Sequence, residues 1–324
     1  MRGNIINKFK VLVTPTSFKP DSSSEALAAL RDFAGELVFN PTDKPLAEQR
    51  LIELLDGCDG IVAGLDIFNE NVIRAGSGRL KVISRYGSGY DNVDVGAARK
   101  YGVTVCFARG ANSQAVADLT FGLMICAARK IPMLDRSTKT GGWARSIGVE
   151  LYGKTIGIVG LGAVGKAVAQ RARGFSMRIL AYDPMLDAAY ANDNGIKGVP
   201  FRDLLTASDI ISLHIPLNEN TRHIINAETL GFVKPGAILI NTARGGLLDE
   251  AAAYDALVSG RLGGLGLDAY ESEPPGASPL FGLDNAILMP HTGSHTAEAT
   301  ANLARLSVQN LIDVLSGRPC EYTV

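Results

Sequence analysis

Short, almost unbroken runs of Val, Ile, Leu and Ala alternate with longer helix-patterned stretches along the whole of this chain. KVLVTP (10–15), ELVF (36–39), DGIVAG (59–64), KVISRYG (81–87) and VTVCFA (103–108) form a first series. KTIGIVG (154–160), RILAYD (178–183), DIISLHIP (209–216), AILINT (237–242), LGGLGLDA (262–269) and AILMPH (286–291) form a second. A strand with one face in water alternates apolar and polar residues, and these runs do not. They suit parallel strands covered by helices on both faces. The expected fold class is therefore α/β, with two doubly wound parallel-sheet domains and a cleft between them. A length of 324 residues fits two domains.

Between the two series, residues 110–130 read as one long helix, with Asn112 or Ser113 as its cap and an apolar stripe at Val116, Leu119, Leu123, Met124 and Ala127. A polar, glycine-containing connection with the only tryptophan, Trp143, is expected after it, and a last helix from about Glu298 to Ser316. A net charge of −1 gives no bulk attraction to nucleic acid or to an anionic membrane. No apolar stretch is long enough to cross a bilayer, and the amino-terminal residues lack the pattern of a secretory leader. The four cysteines, Cys58, Cys106, Cys126 and Cys320, are scattered without a paired metal or redox spacing. They are expected to be reduced packing residues in a cytoplasmic protein, and no metal is expected.

GIVGLGAVGKAVAQ places Gly160, Gly162 and Gly165 in the spacing G-x-G-x-x-G, after an expected strand and at the start of an expected helix. Gly160 permits the turn, Gly162 leaves room for a pyrophosphate, and Gly165 lets helix and strand approach. The free amides at the helix start, around Ala163 and Val164, suit the phosphates. Asp183, followed by Pro184, ends the next strand 18 residues past Gly165. Its carboxylate suits the ribose hydroxyls and repels a 2′-phosphate, which favours NAD over NADP. A Rossmann-like methyltransferase shares the loop and the acid, so other residues must decide. A short-chain dehydrogenase is excluded, because no tyrosine has a lysine four residues on.

Three further strand ends carry chemistry. Arg244 offers a planar fork of donors to a carboxylate. His291 titrates near working pH and suits proton transfer. Glu273, hydrogen-bonded to the other ring nitrogen, would fix the tautomer and raise the imidazole pKa. Bland roles exist for each, such as an Arg244 surface pair with Asp249 or Glu250. His223 and His295 are weaker rivals, because neither directly follows a strand. His214 is placed on the cofactor side. The two glycines after Arg244 are expected to leave space for a cofactor.

The segments VISRYGSGYDNVD (82–94), LYGKTIGIVGLGAVG (151–165), LHIPLNENTRHIIN (213–226), NTARGGLLDE (241–250), GLDAYESEPP (266–275) and PHTGSHTAEA (290–299) together resemble the D-isomer-specific 2-hydroxyacid dehydrogenase family, phosphoglycerate dehydrogenase-like branch, over almost the whole length. The resemblance implies a discontinuous substrate-binding domain, 1–108 plus 294–324, around an inserted NAD-binding domain, 109–293. It implies a homodimer with a contacting arm near 110–150. It implies catalytic roles for Arg244, Glu273 and His291, and a substrate carboxylate held by Ser88 and Gly89 as well as Arg244 and His291. Thr242, Ala243, Asp268 and Gly293 are implied near the nicotinamide, and Pro216 and Thr221 on the adenosine side.

The implied activity is NAD-dependent oxidation of a small D-2-hydroxy acid, or reduction of the 2-keto acid. Ala63 and Gly64 stand where that branch carries a phosphate-binding arginine, and the regulatory extension of some relatives is expected to be absent. Asp66 is expected to repel a phosphate and to accept hydrogen bonds from a polyol, and Tyr86, Asp66 and Trp143 to set the size of the substrate pocket. All this argues against 3-phosphoglycerate and leaves glyoxylate/hydroxypyruvate reduction and sugar-acid oxidation open. An NAD-sensing co-regulator on the same scaffold is the alternative of another class.

Overall fold

The computed structural model describes residues 9–21, 24–143 and 145–324. Residues 1–8, on which the reading of the amino terminus rests, lie outside them. The chain divides into two compact units, 1–112 with 296–324, and 113–295. The sequence puts these seams a few residues earlier, after 108 and after 293.

In the first unit, strands β1 (Lys10–Val13), β2 (Glu36–Phe39), β3 (Gly60–Ala63), β4 (Val82–Arg85) and β5 (Thr104–Phe107) alternate with helices α1 (Glu25–Phe33), α2 (Glu48–Leu55), α3 (Glu70–Gly76) and α4 (Val95–Lys100). The strands form one parallel sheet in the order β2-β1-β3-β4-β5. Leu12 packs on one face with Leu51, Leu55 and Ile83, while its neighbours Val11 and Val13 pack on the other with Leu27 and Leu30. Both faces are thus covered, as the continuous apolar runs require. Each fully buried Leu or Ile contributes roughly 1.5–3 kcal/mol.

The second unit opens with α5 (Ser113–Arg129) and α6 (Ile131–Lys139). Strands β6 (Thr155–Val159), β7 (Arg178–Tyr182), β8 (Ile196–Gly198), β9 (Ile210–Leu213), β10 (Ala237–Asn241), β11 (Leu262–Leu267) and β12 (Ala286–Leu288) follow, with α7 (Ala163–Gly174), α8 (Ala188–Asp193), α9 (Phe201–Ala207), α10 (Ala227–Leu230) and α11 (Glu250–Val258) between them. The sheet is parallel throughout, in the order β12-β11-β10-β9-β6-β7-β8. Its order reverses between β6 and β9, the switch point at which a doubly wound sheet binds its ligand. The last helix, α12 (Ala297–Leu315), returns to the first unit, where Ser84 Oγ donates to the Ser307 carbonyl at 2.7 Å and Tyr86 Oη to that of Thr300 at 3.2 Å.

The strands expected from the sequence are present, and each unit is a parallel-sheet α/β fold, as read. Two elements were not foreseen. Helix α6 occupies the start of the expected polar connection. Pro132 lies in its first turn, where a missing N–H costs nothing, and the helix buries no residue that would have marked it. Strand β8 is a three-residue edge strand with only Ile196 buried, too short to show a period. Asn112 does not cap α5 through its side-chain carbonyl, since Oδ1 accepts no hydrogen bond among the described residues.

Candidate active site

The turn after β6 lies at the switch point. Gly160 has φ +98°, and a Cβ there would lie 2.6 Å from the His214 carbonyl. A Cβ at Gly165 would lie 2.0 Å from the Gly160 carbonyl oxygen, so only glycine lets α7 start this close to its strand. Gly162 is different: a Cβ there meets no protein atom within 4 Å. Gly162 and Ala163 are exposed, Val164 is partly buried, and α7 begins without a side-chain cap. Protein packing accounts for Gly160 and Gly165 but not for Gly162, and open space before uncapped helix amides fits a pyrophosphate.

Asp183 follows β7. One carboxylate oxygen accepts the Leu161 N–H and the other the Met185 N–H, each at 2.8 Å. These bonds fix the carboxylate and leave each oxygen a further lone pair, the acceptor set that ribose hydroxyls need. Pro184 beside it is exposed. Past β9, His214 Nε2 lies 2.8 Å from Ser212 Oγ, and burial pushes its pKa down to about 3, so the ring stays neutral. Pro216 begins an exposed loop that Thr221 ties together, its hydroxyl donating to the Pro216 carbonyl at 2.8 Å and accepting the Asn218 N–H at 2.8 Å. The dinucleotide groups are therefore compatible with the residues present at this sheet edge.

The chemical residues gather at the ends of β10, β11 and β12. His291, with φ +51°, directs Nδ1 to Glu273 Oε2 at 2.6 Å. The Tyr270 amide donates to the other Glu273 oxygen at 3.1 Å. Burial raises the Glu273 pKa, but the His291 bond and the Tyr270 amide outweigh it and hold the carboxyl below its ordinary 4.5. The hydrogen bond to Glu273 raises the His291 pKa above 6.5, against burial and the nearby Arg244 charge, and the charges of Glu273 and Asp268 add to the rise. Arg244 lies three residues past the end of β10. Its Nη1 donates to the Ala243 carbonyl at 2.8 Å, and Asn241 Nδ2 donates to the Arg244 carbonyl at 2.8 Å, which fixes the strand tip.

Asp268 is buried, 2% exposed, and accepts the Thr292 and Gly293 amides at 2.7 Å each. It anchors the backbone that follows His291. Burial raises its pKa against the pull of those two amides. Thr242 Oγ1 lies 2.9 Å from Thr120 Oγ1, which itself donates to the Val116 carbonyl at 2.8 Å. The Thr242 hydroxyl is therefore the donor in that pair and remains an acceptor. Ala243 is partly buried beside it.

Sequence reasoning missed Tyr270. Its amide holds Glu273, while its hydroxyl donates to the Met289 carbonyl at 2.9 Å, two residues before His291. One tyrosine thus braces both arms of the pair; a tyrosine in the run GLDAYES gave no period or spacing to mark it.

Some expectations change. The glycines after Arg244 have a packing reason of their own. A Cβ at Gly245 would lie 1.8 Å from the Tyr270 carbonyl carbon, and one at Gly246 2.9 Å from Leu217, so protein packing demands them. Asp66 is 1% exposed and binds Thr14 Oγ1 and the Leu46 amide, so its carboxylate is engaged inside the first unit and is not presented to a polyol. Trp143 is 82% exposed, and Tyr86 is partly buried, its hydroxyl donating to the Thr300 carbonyl. Asp249 caps α11 through the Ala252 amide, and Glu250 Oε1 accepts the Glu271 amide. His223 pairs with Glu271 at 3.1 Å, and His295 is exposed. Ser88 and Gly89 belong to the other unit, on the loop after β4. Among the described residues no group of His, Cys, Asp and Glu could hold a metal ion, and no helix is long and apolar enough to cross a membrane.

A sheet of this order, a glycine loop at its switch point and an imidazole–carboxylate pair in the same unit fit the class of dinucleotide-binding dehydrogenase folds. Residues 121–293 match the description "D-isomer specific 2-hydroxyacid dehydrogenase, NAD binding domain". A D-3-phosphoglycerate dehydrogenase of Methanocaldococcus jannaschii is 42% identical over 284 residues, 86% of this chain and 54% of that protein. The chain thus spans about half the length of that relative. A glyoxylate reductase of Korarchaeum cryptofilum is 40% identical over 285 residues, 86% of each chain. The crystal structure of a glyoxylate reductase from Paecilomyes thermophila superposes with a TM-score of 0.87 at 32% identity, covering 98% of both chains. The chain belongs to the D-isomer-specific 2-hydroxyacid dehydrogenase family, and its cofactor is NAD.

Proposed function

We propose that the protein interconverts a small, unphosphorylated D-2-hydroxy acid and its 2-keto acid, with glyoxylate and hydroxypyruvate as the leading substrates. The carrying observation is the 2.6 Å contact between His291 Nδ1 and Glu273 Oε2, in the unit that bears the dinucleotide loop. Because Nδ1 faces the carboxylate, Nε2 is the nitrogen left to handle the substrate proton. In oxidation neutral His291 takes the hydroxyl proton; in reduction the imidazolium returns it to the carbonyl oxygen. Glu273 stabilises the charged ring. Arg244 orients the substrate carboxylate. NAD, when bound, supplies the hydride acceptor, and NADH the donor. The role of Ser88 and Gly89 in holding the carboxylate is proposed from the family resemblance.

The preference for unphosphorylated acids rests on Ala63 and Gly64, where related enzymes are expected to carry a basic residue, and on the exposed apolar neighbours Leu65 and Ile67. A homodimer is proposed from the resemblance and from Trp143, Ile147 and Tyr152, exposed by 82, 93 and 70% in the second unit. The cytoplasm is the proposed compartment.

The test is a panel of 2-keto acids with NADH. Glyoxylate or hydroxypyruvate should be reduced with a kcat/KM at least tenfold above 3-phosphohydroxypyruvate, and His291→Gln should lower kcat by about 10²–10⁴ while NADH still binds. A preference for the phosphorylated acid would overturn the substrate assignment. Tight NADH binding with no keto acid reduced would point instead to a sensor.

A further inference from the structure

Cysteines that are scattered in the sequence meet in the first unit. Cys320 Sγ lies 3.6 Å from Cys106 Sγ, and both are free thiols. Cys106 is fully buried on β5, an edge strand of its sheet; Cys320 is partly exposed, after α12. The contact is not that of a loose tail. On one side of Cys320, Gly317 turns the chain with φ +70° and the Arg318 amide bonds the Asp313 carbonyl at 2.8 Å. The Arg318 side chain pairs with the Asp313 carboxylate at 2.7 Å. On the other side, residues 322–324 add antiparallel to the β5 edge. The Phe107 amide donates to the Tyr322 carbonyl at 3.1 Å, the Val324 amide to that of Val105 at 3.0 Å, and Cys106 stands opposite Thr323. The segment is held before and after the thiol, so the two sulfurs are kept in contact.

We propose that Cys106 and Cys320 form an intramolecular disulfide when the protein meets a low-molecular-weight disulfide such as oxidised glutathione, and that this bond staples the carboxy-terminal segment to β5. A disulfide needs sulfurs about 2.05 Å apart, so closure requires a shift of roughly 1.5 Å, within reach of a side-chain rotation at the partly exposed Cys320. Access sets the order of events. The Cys320 thiolate attacks one sulfur of the oxidised glutathione; a protein–glutathione disulfide forms and one glutathione thiolate leaves. The Cys106 thiolate then attacks Cys320 Sγ and expels the second. Two protein thiols lose two electrons, one glutathione disulfide gains them, and the thiol protons pass to the two glutathione thiolates. Burial pushes the Cys106 thiol well above its ordinary pKa, so the second step is the slow one and speeds up with rising pH. Cys58 and Cys126 are also raised by burial, Cys58 to about 11.

The experiment uses the full chain, reduced and then equilibrated in glutathione buffers of increasing oxidation, with thiol counting, peptide mapping and thermal unfolding. The expected result is loss of two of the four thiols, a single cross-link between the Cys106 and Cys320 peptides within one chain, and an unfolding midpoint raised by roughly 5 °C. Cys320→Ser should keep all remaining thiols reduced in the same buffers and show no redox-dependent midpoint. Cys106→Ser, if it folds, should stop at the glutathione adduct on Cys320. A persistent adduct on Cys320 in the unsubstituted protein, a cross-link only between chains, or four thiols intact in the most oxidising buffer each overturns the proposal.

Discussion

At the residue scale the contact with Glu273 favours the charged form of the imidazole proposed to carry the substrate proton. Its effect on stability has a defined sign. The His291 pKa is raised above 6.5 in the folded protein, so its contribution is full below 6.5 and is lost as pH climbs through the folded value. The Glu273 pKa is lowered below 4.5, so its contribution is full above 4.5 and is lost as pH falls through the folded value. The pair therefore stabilises most between about 4.5 and 6.5. With side-chain exposures of 47 and 39%, solvent screening keeps the effect on folding small, and catalysis is where it should be read. The proposed keto-acid reduction draws its proton from the imidazolium, so kcat/KM should fall as pH rises through a value above 6.5. Glu273→Gln keeps a side-chain acceptor but removes the charge, and should move that falling limb to lower pH. A limb that stays in place in a pH–rate profile of the variant would remove Glu273 from the control of His291.

At the scale of elements, the turn from β6 into α7 separates two duties of glycine. Gly165→Ala drives a Cβ to within 2.0 Å of the Gly160 carbonyl and should destabilise the protein by roughly 2 kcal/mol or more in denaturant titration. Gly162→Ala meets no protein atom, so its stability cost should stay within about 1 kcal/mol, the scale of a lost helix-cap preference. The same change should weaken NADH binding at least tenfold, measured by fluorescence titration, because the methyl enters the space assigned to the pyrophosphate. Unchanged affinity in Gly162→Ala would place the phosphates elsewhere. The G-x-G-x-x-G spacing was legible because strand, turn and helix are contiguous. Helix α6 and strand β8 were not, because neither carries enough buried residues to impose a period.

At the scale of the whole molecule, the chain leaves its first unit at Asn112 and re-enters it at Thr296. The glycine loop, Arg244, Glu273 and His291 all belong to the unit Ser113–His295. NADH at a hundredfold excess over its Kd should therefore add about 2.7 kcal/mol to the unfolding free energy of that unit. In a calorimetric scan, a saturating dose of NADH that moves no transition would refute the placement of the coenzyme there.

The sequence by itself determined the fold class and singled out the glycine loop with Asp183, and Arg244, Glu273 and His291, as candidates. These signals are local: a strand run, a fixed spacing, a charged residue at a strand end. Only the tertiary structure decided what those residues touch. It buried Asp66 against Thr14, packed Gly245 on the Tyr270 peptide, made Tyr270 a brace between Glu273 and the end of β12, and set Cys106 against Cys320 from 214 positions away. Contacts of that kind depend on how strands and their loops are ordered in a sheet, and a pattern of nearest neighbours along the chain carries no record of that order.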